Sequence, residues 1–209
     1  MLIVPSGSFV RCLRGIAGIL VLFTGQPACV ATDRELTLAQ QVEVLRSQLK
    51  RTEQPFPKVV DDGFVAAIES KDHAALHRAL ADEVFVVVQI NPEGRVKIAR
   101  GPAAAELVAG RPQLLLVKIA NASGGQQLLK PLSNYVGASK NPFTLTIPTF
   151  GKLTPELVGH AVEYRLMEVA CEGAGKHEIT VVVEAGQGSQ DLGFRAEVPV
   201  LFTVSEPPR

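Results

Sequence analysis

The 209-residue chain carries 21 Lys+Arg against 21 Asp+Glu, is 46% hydrophobic and has three cysteines and no tryptophan. Balanced charge without a basic stripe argues against nucleic-acid binding, and so few cysteines exclude a disulfide scaffold. Eighteen glycines and fourteen prolines with few aromatics imply many turns, as in an all-β or α+β chain.

Residues 1–31 read as a signal peptide for export from a bacterial cytoplasm. Arg11 and Arg14 give the positive region, Ile16 to Phe23 the apolar core, and Cys29-Val30-Ala31 a small-residue cleavage site. The apolar run is far short of the ~20 residues that span a bilayer. A lipoprotein signal at Cys29 is opposed by Gln26 and Pro27, which stand where such a signal wants apolar or small residues. The predicted location is therefore the periplasm or the medium. Cleavage would remove two arginines and no acids, leaving 178 residues with 19 bases, 21 acids and Cys171 as the single cysteine. That length suits one domain with a substantial core.

Residues 32–57 are predicted to form an amphipathic helix and a linker. Thr32 and Glu35 have capping-box spacing, and Leu38, Val42, Leu45 and Leu49 make a narrow apolar seam over 33–53. The seam either lies on its own domain or pairs with another copy as a short coiled coil. Pro55-Phe56-Pro57 ends the helix. The remainder, 58–209, reads as a β-rich domain with short helices at its start. Phe64, Val65 and Ile68 suggest one apolar helical face, and Asp72 a cap for a second helix bearing Leu76 and Leu80.

From Val84 the pattern turns to strand. Val84–Ile90 is a continuous apolar run, Asn91-Pro92-Glu93-Gly94 has turn chemistry, and Arg95–Arg100 alternates, which together predict a hairpin. Pro102 to Leu107 reads as a small helical turn closed by Gly110. Further strands are predicted at 114–120, 143–147, 160–169, 178–184 and 194–204, with Pro199 arguing for an edge or bulge. In 160–169, Val162, Tyr164 and Leu166 alternate with Glu163, Arg165 and Met167. Six or more such strands predict a mostly β fold, an immunoglobulin-like or similar sandwich with N-terminal helices.

No residue set declares a reaction. His73 and His77 share a helical face, but a zinc peptidase needs glutamate after the first histidine and Ala74 stands there. Cys171 lies near His177 and His160, without any mark of a lowered thiol pKa. The loop 186–193 is glycine-rich, yet it leads into a strand, not a helix, and offers only Asp191 for calcium. Asn121-Ala122-Ser123 matches a glycosylation triplet that occurs freely by chance. No catalytic, cofactor or metal residue is therefore assigned.

Several stretches do resemble a known pattern: Gln89–Lys97, Ala99–Ala104, Leu116–Asn121, Glu163–Leu166 and Gly186–Arg195. In this order they resemble an uncharacterised secreted β-rich module of planctomycete-type bacteria, found N-terminal to metallohydrolase-like domains. The resemblance spans 60–204 and implies a secreted accessory module, while the hydrolase's histidine motifs have no counterpart here. The motif charges Arg95, Arg100, Asp191 and Arg195 read first as loop-fixing salt bridges, with a ligand or partner loop as the alternative. The expected function is an exported, non-catalytic binding module of the envelope or secreted fraction, with self-association through 33–53 as one mode of assembly. The alternative rests on Ala67–Leu76 and Leu80–Val84, which resemble the opening of a nuclear-transport-factor-2-like (NTF2-like) cone. It implies a small-molecule pocket or simple acid–base chemistry.

Overall fold

A computed structural model describes residues 36–135, 140–186 and 194–208. The proposed signal 1–31, the Thr32–Glu35 cap and Asp191 with most of its glycine loop lie outside the described residues. Among those described, the chain forms α1 (Leu38–Arg51), α2 (Lys58–Glu69), α3 (His73–Leu80) and nine strands. The strands are β1 (Val84–Ile90), β2 (Val96–Arg100), β3 (Glu106–Val108), β4 (Gln113–Asn121) and β5 (Leu129–Tyr135). They continue with β6 (Phe143–Thr146), β7 (Val162–Cys171), β8 (Gly175–Ala185) and β9 (Arg195–Ser205). No described helix is long and apolar enough to cross a membrane.

The strands build two sheets, ordered β2-β1-β4-β7-β6 and β3-β9-β8-β5. Most neighbours are antiparallel, but β1 runs parallel to β4 and β3 parallel to β9. The sheets face each other across one filled core, in which Phe85, Ile119 and Met167 from the first meet Val181 and Phe202 from the second. Phe202 stacks obliquely on both Phe85 and Phe143, with ring centroids 5.5 and 5.3 Å apart. The molecule is thus a mostly β two-sheet sandwich with three N-terminal helices, as the strand series predicts. It is not an NTF2-like cone, because two sheets pack face to face through a shared apolar core where the cone would have one curved sheet around a pocket.

A second apolar cluster lies on the opposite face of the first sheet. There Val42, Leu45, Phe64, Leu76 and Leu80 of the helices cover Leu116, Tyr164 and Leu166. Two covered faces explain why β7 is buried almost continuously, while β9, with one face open, alternates between buried and exposed. Each completely buried leucine contributes roughly 1.5–3 kcal/mol of transfer free energy.

The helices differ from the sequence reading in instructive ways. α1 begins at Leu38, not 33, because Thr37 and Gln40 form the capping box: each side chain accepts the other's backbone N–H. Its seam residues Val42, Leu45 and Leu49 are buried against the domain, so the coiled-coil reading of 33–53 loses the face it needs. Phe56 of the linker packs edge-on against Phe64 at 5.2 Å. In α2 the buried positions are Phe64 and Ala67, whereas Val65 points outward. Asp72 does cap α3, accepting from the Ala75 N–H at 2.9 Å.

Two strands escape the sequence reading. The predicted helical turn at 102–107 is a bend followed by β3, because Ala103 N–H donates to Val84 O and Thr203 N–H to Ala105 O, drawing the segment alongside β9. Gly101 makes this possible: a Cβ there would collide with the Val84 carbonyl. β5 has weak strand composition and carries Pro131, which a ladder tolerates at a sheet edge, where β5 lies.

Candidate functional site

Of the four charged residues singled out by motif, Asp191 lies outside the described residues and the three arginines each engage different partners. Arg100 lies over the Phe85 ring, 4.2 Å from its centroid, and donates to the carbonyls of Phe85, Gly101 and Ala103. It pins the β2–β3 bend, and burial pushes its pKa down. Arg195 faces Glu184 across the β8–β9 ladder at 3.9 Å. Arg95 is exposed and sits 3.2 Å from Glu93 in the hairpin turn.

Glu163 and Arg165 form a buried pair that the sequence reading left unassigned. The Arg165 guanidinium donates to Glu163 Oε2 at 2.8 Å and to the carbonyls of Thr154, Glu156 and Tyr164. The Glu163 carboxylate also accepts from the amides of Val158, Gly159 and His160. Gly159 has φ +98°, and a Cβ there would come within 2.5 Å of Gly124 O, so only glycine completes this loop. Every strong donor and acceptor is occupied by the chain itself. The pair is a clasp holding residues 154–160 onto β7.

Cys171 and His177 do not form a dyad. The thiol and His177 Nε2 both donate to the same acceptor, Gly173 O, at 3.3 and 3.1 Å. Burial pushes the thiol pKa up, which disfavours the reactive thiolate. Asn121 is buried and its amide donates to Gly125 O, so the glycosylation triplet is folded into a turn.

A concave surface lies elsewhere, on the helix-bearing face of the first sheet, past the end of the helical cover. A groove of about 640 Å³ runs beside the β1–β2 hairpin, lined by Gln89, Asn91, Pro92, Arg95, Lys97, Ala120, Ala122 and Ala161 among others. A smaller hollow of about 360 Å³ adjoins it at Ala161 and brings together His73, His77 and His160. His73 and His77 were visible as a pair; His160 joins them only through the fold.

His77 Nδ1 lies 2.8 Å from the Tyr164 hydroxyl. Burial pushes the Tyr164 phenol up to about 12, so the hydroxyl stays protonated beside the imidazole. His77 itself is pushed down, first by burial and then by the positive charges of Lys118 and His73. His160 Nε2 donates to Leu36 O at 3.1 Å. Among the described residues, no group of three or more His, Cys, Asp or Glu is arranged to hold a metal ion.

No family model matches the chain, and no curated protein matches it. Among solved structures, "SSP-19, an MSP-domain protein like family member in Caenorhabditis elegans", aligns with a TM-score of 0.29 and 16% identity. The alignment covers 48% of this chain and 94% of the nematode protein, a likeness too slight to add to the fold read from the sheets.

Proposed function

We propose that this chain is an exported, non-catalytic binding module and that its ligand surface is the groove beside the β1–β2 hairpin. The observation that carries this reading is the contrast between the groove and the interior. The inter-sheet core is filled, the buried Glu163–Arg165 clasp is saturated by the chain, and Cys171 is turned onto a carbonyl. The groove, by comparison, is open, concave and of a volume that suits a small organic molecule. Export rests on Arg11, Arg14 and the apolar run 16–23, and an accessory role beside another envelope or secreted protein rests on the module the motifs resemble.

The test pairs two measurements on the purified full chain. A thermal-shift screen of small molecules should find ligands that raise Tm, with amide shifts centred on Gln89, Lys97 and Ala120. A broad hydrolase substrate panel with added divalent metal should show no turnover. Turnover that disappears in His73→Ala would replace the binding reading with a catalytic one. Export is checked separately by fusing residues 1–31 to a reporter lacking its own signal, with the reporter recovered outside the cytoplasm.

A further inference from the structure

We propose that the groove takes a small organic monocarboxylate with an apolar body, its head held by Lys97 and its body laid along Ala120, Ala122 and Ala161. This rests on the reading of the groove as the ligand surface. Register places the groove's floor in one row across the sheet: Lys97 opposite Gln89, Gln89 beside Ala120, and Ala120 opposite Val162. The next row, Ala99–Val87–Lys118–Tyr164, is where the helical cover begins. Lys97 is exposed, and among the described residues neither it nor Lys118 has a carboxylate partner. The nearby acids are engaged: Glu93 with Arg95, and Glu163, on the opposite face of the sheet, with Arg165. Lys118 adds positive field, as its effect on His77 shows. An uncompensated cation beside an alanine floor complements an anion whose remainder needs no hydrogen bonds.

The backbone decides between carboxylate and phosphate. A phosphate site gathers free amides into a nest. Here the N–H groups around the groove are already used: Asn91 donates to Arg95 O, Gly94 to Asn91 O, Asn121 to Ala161 O and Ala122 to Ile90 O. What remains is the Lys97 ammonium with the Gln89 amide as its cross-strand neighbour, enough for one singly charged head.

The experiment titrates the full chain with octanoate, octanol and inorganic phosphate by calorimetry and by amide shifts. Octanoate should bind saturably at Gln89, Lys97 and Ala120, and octanol should bind at least about tenfold more weakly, as loss of one charge-assisted contact implies. Lys97→Gln should cost about tenfold for octanoate alone, and Lys176→Gln on the far sheet should change nothing. Equal binding of octanoate and octanol, or unaltered binding by Lys97→Gln, would overturn the assignment while leaving a binding module in place. Absence of octanoate binding, or its displacement by an equal concentration of phosphate, would also overturn it. The turnover assay above addresses the broader reading independently.

Discussion

Glu163 accepts from three consecutive amides and one guanidinium, and its partner Arg165 is almost completely buried. Burial pushes the Arg165 pKa down and the carboxylate beside it pulls it back up. Removing one member of such a pair strands the other in low dielectric, so Glu163→Leu should lose about 3–5 kcal/mol in urea unfolding. The double change Glu163→Leu, Arg165→Leu should recover part of that, because the stranded charge is gone. The alternation around these residues was legible in the sequence and correctly grouped Glu163 and Arg165 with Met167. That the group faces the core was not, because two charges normally mark a solvated face. Their partners come from residues 154–160, whose pattern announces no loop of this kind. For the same reason His160 was read as a strand start, and its approach to His73 and His77 across the fold carries no local signal.

The helices and strands were read best where one sequence period sufficed. The β1–β2 hairpin, the long β7 and β9 ladders and the α1 seam all show their period directly. β3 and β5 did not, since backbone hydrogen bonds to distant strands define them more than their side chains do. The parallel pairing of β1 with β4 was equally hidden, because periodicity says nothing about strand direction. α1 yields a direct test of what its seam does. Leu45 is wholly buried among the other helices and the sheet, so Leu45→Ala should cost about 2–5 kcal/mol through transfer loss and a cavity. The mass in solution, followed by light scattering, should stay as in the parent chain. A change in mass with little change in stability would instead restore the seam to a role between copies.

For the whole molecule, His77 and two aspartates among the described residues respond to pH in separate windows. His77 is held below its ordinary value of 6.5, so between that value and its folded pKa the unfolded chain binds the proton and the folded chain does not. Its contribution is therefore full above about 6.5 and declines as pH falls beneath it. Asp61, lowered by hydrogen bonding to Arg46, and Asp72, lowered by the Ala75 amide, contribute above 3.8 and are lost as pH falls further. Urea midpoints measured from pH 8 to 3 should show both declines, and His77→Gln should remove the upper one alone. A further property follows from how α1 is seated. Gln41 Oε1 accepts the Tyr164 N–H, and Leu36 O accepts from His160, joining partners 123 and 124 residues apart. A chain that emerges amino end first, as from the ribosome, therefore delivers this helix long before that part of its landing strip exists. Its seat on β7 cannot be completed until some four-fifths of the polypeptide has emerged, so the earliest helix is among the last to settle fully.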